Sequence, residues 1–225
     1  MNKIILLVLI IISISVYSLE ITSYDIPGYS NDLPLDSFTD MAIDGSTGNL
    51  CLTGPGIWCE IPLKDNEPDW DKSFTASTGD YQLTAAAGRD NGVTVFDKYN
   101  YRIMDEENIY GIDDSGIEPS CMEYSGYVLL MGSRYGTVSS WEIRNGMIEM
   151  TAESDCSIIL TGIAAAGSTV FLSDSNNIYR CDIDYNIEKQ FEPDFAVNGI
   201  AVSGSVLWAV GMNENKIYRL EGVYQ

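Results

Sequence analysis

The chain has 225 residues, 45% hydrophobic, 11% aromatic and 20% charged, with 12 Lys and Arg against 33 Asp and Glu and a net charge of −21. The apolar content suffices for one substantial core and excludes disorder throughout. The charge excludes a nucleic-acid partner, because phosphate backbones need clustered Lys and Arg. Histidine is absent, which removes Ser-His-Asp and Cys-His catalysis and His-ligated zinc.

Residues 1–18 read as a signal peptide. Lys3 precedes an apolar run from Ile4 to Val16, and Val16 and Ser18 stand at −3 and −1 of a cut before Leu19. The run is short for a membrane span, although an uncleaved N-terminal anchor is the alternative. No later stretch is long and apolar enough to cross a bilayer, so the mature chain, 19–225, is expected to be secreted, periplasmic or at the cell surface, with no integral membrane segment.

Five cysteines, Cys51, Cys59, Cys121, Cys156 and Cys181, lie in that exported part, where disulfides persist. Cys51 and Cys59 flank Thr53-Gly54-Pro55-Gly56 and are the best pair for a staple across a hairpin. The alternative is that several are reduced, buried small hydrophobes.

In chain order, a pattern of apolar or small residues ending in glycine recurs at Met41–Gly45, Thr84–Gly88, Met122–Gly126, Ile163–Gly167 and Ile200–Gly204, the glycines 43, 38, 41 and 37 residues apart. A β-rich run follows each. Then comes an aromatic, at Trp58, Tyr101, Trp141, Tyr179 and Tyr218, whose equivalent positions predict packing of one repeat against the next rather than ligand stacking. Short strands at a period near forty, punctuated by Gly, Asn, Asp and Ser, predict an all-β, five-bladed β-propeller with repeat cores near 38–63, 81–104, 119–144, 158–184 and 197–221. A β-sandwich is the alternative and gives no reason for the repeat. The last repeat ends too soon for an outer strand, so Leu19 to Ile26 is predicted to supply it and close the ring.

Val197-Asn198-Gly199-Ile200-Ala201-Val202-Ser203-Gly204, with Val206-Leu207-Trp208 and Lys216-Ile217-Tyr218-Arg219-Leu220, resembles NHL-repeat and gluconolactonase-like propellers. Thr161 to Asp182 repeats the pattern. In gluconolactonase-like enzymes Glu, Asn and Asp hold a divalent metal at one mouth of the axial channel. The resemblance places Asn198 in the Asn-Gly context of one such ligand, with Asp40 the acid nearest.

The residues six before each repeat glycine, Thr39, Gln82, Ser120, Thr161 and Asn198, are polar and uncharged and are predicted to ring that mouth. They form either a small polar ligand site or caps for the inner-strand ends. Neutral Thr161, Ser120 and Gln82 are poor anchors for a hard cation. No motif requires a cofactor; Asp40 and Asn198 are the candidate metal ligands, for Ca²⁺ or Zn²⁺. Glu123 stands where other repeats have Ala42, Ala85, Ala164 and Ala201, so its carboxylate must meet channel water or a partner. With Asp40 it makes a carboxyl pair of the glycosidase type, but the five-bladed glycoside hydrolases typically add a histidine.

Asp182–Glu188 begins like a calcium loop but has Ile187 at the sixth position and Pro193 at the twelfth, which excludes an EF-hand. Lys64–Asp71 reads as an exposed acidic loop with Trp70 as a candidate handle. Together these features predict an exported binding or interaction module for a protein or small polar ligand. The alternatives are a metal-dependent, lactonase-like hydrolase centred on Asn198, Asp40 and Glu123, and a structural cell-surface component.

Overall fold

A computed structural model describes residues 19–27, 38–90, 92–105, 108–112 and 118–224. The predicted signal segment lies outside them. The described chain is all-β, with one 3-10 turn at Trp70–Lys72. In chain order the strands are β1 (Glu20–Asp25), β2 (Asp40–Ile43), β3 (Leu50–Ile61), β4 (Leu63–Lys64), β5 (Glu67–Pro68), β6 (Phe74–Arg89), β7 (Gly92–Asp97), β8 (Arg102–Met104), β9 (Ile109–Gly111) and β10 (Pro119–Ser125). There follow β11 (Val128–Ser133), β12 (Thr137–Arg144), β13 (Met147–Asp155), β14 (Gly162–Ala166), β15 (Thr169–Ser173), β16 (Ile178–Cys181), β17 (Ile187–Phe191), β18 (Val197–Ser203), β19 (Val206–Gly211) and β20 (Lys216–Glu221).

Three four-stranded antiparallel sheets run β10-β11-β12-β13, β14-β15-β16-β17 and β18-β19-β20-β1. A six-stranded sheet runs β2-β3-β6-β7-β8-β9, in which β6 pairs with β3 through Phe74–Ser77 and with β7 through Leu83–Arg89. These four sheets adopt a propeller-like arrangement. The first strand of each repeat is innermost: β2, β6, β10, β14 and β18 pack one after another, and β18 returns against β2. The N-terminal strand lies where the short last repeat requires it, antiparallel to β20 from Glu20↔Glu221 to Asp25↔Lys216.

Burial grades outward. All six residues of β19 are buried, because both faces of an inner strand meet neighbouring sheets, whereas β13 is exposed over nearly all its length. Apolar clusters fill the gaps between sheets. Phe96, Ile103 and Tyr110 pack against Met122, Leu129 and Trp141. Leu130 and Val138 meet Ile163 and Leu172, Phe171 and Ile178 meet Ile200 and Leu220, and Trp208 and Ile217 meet Leu50 and Ile57. Of the repeat aromatics, Trp141 and Tyr218 lie inside these clusters and Tyr101 and Tyr179 pack against them. Trp58 is half-buried and belongs to none.

The repeat glycines have two physical causes. Gly126, Gly167 and Gly204, at φ 62°, 63° and 61°, take the first central position of two-residue hairpins, a site that suits glycine. Gly45 and Gly88 instead permit close approach. A Cβ on Gly88 would lie 1.7 Å from the Ile43 carbonyl oxygen, and one on Gly45 2.3 Å from that of Arg89.

Two expectations are corrected. Cys51 and Cys59 form no staple, because all five cysteines are free thiols. Both thiols are buried, which raises their pKa values above the ordinary one. Trp70 is not a free handle either. It packs on the cluster around Trp208, while Glu67 of its loop is bound by the Tyr24 hydroxyl and, at 3.2 Å, by Arg219.

Gly88→Ala is expected to lower the unfolding free energy by about 3 kcal/mol or more through overpacking against rigid backbone. Gly111→Ala, where an added Cβ would meet nothing within 4 Å, should change it by less than about 0.5 kcal/mol. Urea denaturation checks both.

Candidate functional site

The inner edges of the central strands have no strand beside them, so their amides converge on the axis and need acceptors. Asp40, the first residue of β2, provides one. Its carboxylate is fully buried and accepts the Met41 N–H at 2.9 Å, the Ala86 N–H of β6 at 3.0 Å and the Met122 N–H of β10 at 3.2 Å. Gly199 of β18 leaves the space: a Cβ there would lie 2.7 Å from the Asp40 Cα. One side chain thus touches β2, β6, β10 and β18. Burial raises its pKa well above the ordinary carboxyl range, the three amides oppose that, and the charge of Glu123 adds to it.

Glu123 of β10 repeats the device one step around the ring. It accepts the Tyr124 N–H at 2.7 Å and the Ala165 N–H of β14. It keeps some solvent contact but lies deep enough in protein for burial to lift its pKa from 4.5 to about 8. The charge of Glu123 is felt at Asp40, and the hydrogen bonds of Asp40 are all made to backbone.

Most of the predicted mouth residues also hold strand ends. The Thr39 hydroxyl lies 3.2 Å from the Thr53 carbonyl and 3.3 Å from that of Leu83. Ser120 donates to the Leu160 carbonyl at 2.8 Å, and Thr161 exchanges a 3.1 Å bond with Ser173. The Asn198 amide donates to the Phe38 carbonyl. Gln82 differs: its side chain is exposed, and only its backbone is tied, the N–H to Asp97 at 3.0 Å and the carbonyl to the Lys98 N–H at 2.9 Å. Asp182 caps its own turn, accepting the Asp184 and Asn186 N–H groups at 2.9 Å each.

Strand direction defines a face that the repeat pattern did not reveal. Inner strands start there and second strands end there, so the turns after β7, β11, β15 and β19 share it with the connectors entering β10, β14 and β18. Backbone bonds stitch turn to connector: Cys156 N–H to Gly136 at 2.8 Å, Val197 N–H to Ser175 at 3.1 Å and Met212 N–H to Ala196 at 2.7 Å. On this entry face Tyr81, Tyr99, Tyr135 and Ile159 are 41%, 75%, 79% and 68% exposed. Tyr99, Tyr135 and Ile159 occupy turns and connectors, and Tyr81 lies in β6 between its two pairings. Later repeats have Ser175 and Asn213 at the turn position of Tyr99 and Tyr135, so no aromatic period marks it. A shallow depression of about 410 Å³ continues the arc, lined by Asn176, Asn177, Glu192, Pro193, Asp194 and Phe195.

Against known structures, the chain superposes on Myxococcus xanthus glutaminyl cyclase with a TM-score of 0.65 and 11% identity, over 90% of this chain and 95% of that one. The fold is of the β-propeller type. Virginiamycin B lyase from Staphylococcus aureus overlaps this propeller at a TM-score of 0.49 and 15% identity, over 87% of this chain and 69% of that one. No protein-family model and no curated protein matches the sequence.

Because the folded propeller holds the Glu123 proton more tightly than the unfolded chain, this group lowers stability as pH rises from about 4.5 to about 8. The slope is at most about 1.4 kcal/mol per pH unit. Glu123→Gln is expected to match wild type near pH 4.5 and to gain on it by a few kcal/mol by pH 8, read from unfolding free energies across that range.

Proposed function

We propose that this chain is an exported, five-bladed propeller that serves as a binding module, with the entry face as its binding surface. Counting β6 once as the outermost strand of one blade and once as the innermost strand of the next gives five blades, in keeping with the roughly forty-residue period. The NHL-like pattern of the last two repeats fits that count. Export is supported by the signal-like grammar of residues 1–18 and by a first strand that starts at Glu20, directly after the expected cut.

The observation that carries the reading is the arc of exposed Tyr81, Tyr99, Tyr135 and Ile159 beside the channel mouth. Large apolar side chains gathered on one face mark interaction sites, whereas scattered ones need no explanation. The polar mouth points the same way: Thr39, Ser120 and Asn198 spend their hydrogen bonds on the backbone of neighbouring strands. The metal-dependent hydrolase reading is weaker for the same reason, since the oxygens of Asp40 and the amide of Asn198 are already engaged. A catalytic reading draws its support from Glu123, which keeps a proton near neutral pH together with solvent contact.

Arrays of glycans and peptides probed with the mature protein test this. Ligands bound by wild type and by Tyr127→Ser, a change on the opposite face where Tyr127 is 90% exposed, should be lost by the double variant Tyr99→Ser/Tyr135→Ser. Equal binding by all three proteins would contradict the entry-face assignment.

A further inference from the structure

The chemistry of the entry face indicates what it binds. Resting on the binding-module reading above, we infer that this face docks a basic polypeptide segment, with arginine side chains laid over Tyr99 and Tyr135 and one guanidinium seated in the depression at Glu192 and Asp194.

The charge distribution supports this. Along the arc, Asp80, Asp155, Glu192 and Asp194 form none of the ion pairs found among the described residues. The cations nearest Tyr99 and Tyr135 gather around one acid: Lys98 pairs with Glu118 at 3.0 Å, and Arg134 adds to the field that lowers the Glu118 pKa. The excess of acid is therefore uncompensated where Ile159 and the depression lie, in a protein of net charge −21.

Shape and aromatic content select among cations. The wall of the depression is Phe195, stacked on Tyr218 with ring centroids 3.5 Å apart and planes within 3°. A planar guanidinium packs on such a surface while its N–H groups reach a carboxylate in fork geometry, which a compact ammonium does not do. Exposed tyrosines offer the same cation to their ring faces. Turn and connector are joined by backbone bonds from Cys156 to Gly136, Val197 to Ser175 and Met212 to Ala196, which orders that part of the surface before a partner arrives and reduces the entropy lost on binding.

Fluorescence anisotropy with labelled nona-arginine and nona-lysine, at about 0.15 M salt to screen diffuse attraction, tests the inference. Nona-arginine should bind saturably and more tightly than nona-lysine. Tyr99→Ser/Tyr135→Ser, which leaves the net charge unchanged, should weaken it at least tenfold. Glu192→Gln/Asp194→Asn should do the same, and Tyr127→Ser should leave it intact. All are surface changes, and circular dichroism confirms the fold of each. Undiminished binding by the tyrosine double variant would reduce the effect to bulk charge and overturn the inference, as would the absence of saturable binding. Neutral or acidic array ligands that need Tyr99 and Tyr135, with no nona-arginine binding, would also overturn it while leaving the binding-module reading standing.

Discussion

The structure depends on the acceptors at its axis. A radial arrangement of sheets leaves the inner edge of each first strand without a neighbour, and these edges converge where there is little room for water. Each buried amide left unpaired costs about 1–3 kcal/mol. Asp40 meets three of them from three strands, and Glu123 meets one from the next strand along with its own neighbour's. Burying a carboxylate opposes this gain, which is why both pKa values rise. The same side chain that joins the strands thereby makes the centre of the molecule sensitive to protonation.

The acids that dominate the composition have a second structural use. Asp44 accepts the Ser46 N–H at 2.7 Å, Asp174 accepts those of Asn176 and Asn177 at 2.7 Å each, and Asp182 closes the turn before β17. Hydrogen bonds to the ionised form hold all three below the ordinary aspartate pKa, against the burial of Asp44 and Asp174. Asp97 does similar work, tying the turn after β7 to the backbone of Gln82. A fold made of many short strands needs many turns, and aspartate is well suited to them. Much of the charge thus specifies turns.

The propeller-type architecture was legible because each repeat restates the same local demands. A glycine is needed at or beside the first hairpin, for its turn or for close packing, small residues are needed near the axis, and in most repeats an aromatic fills the gap between sheets. The outer strand missing after Tyr218 pointed directly to β1. What could not be read depends on position in space rather than on local pattern. Asp40 reaches Ala86 and Met122 across 46 and 82 residues of chain, so its role as a shared acceptor leaves no trace in spacing. The continuity of β6 between two repeats was equally hidden. Cys51 and Cys59 had a spacing suited to a hairpin staple, yet both are buried free thiols. Tyr99 and Tyr135 of the entry face sit in turns, where repeats diverge most.

The central claim is that Asp40 is retained as an acceptor despite the cost of burying it. The equilibrium unfolding free energy of Asp40→Leu compared with Asp40→Asn tests this most directly, since the two side chains are close in size and only asparagine keeps an oxygen for the Ala86 and Met122 amides. The account predicts that Asp40→Leu is less stable than Asp40→Asn by about 3 kcal/mol or more, in line with orphaned buried donors. An Asp40→Leu protein as stable as Asp40→Asn, or more stable, would contradict it.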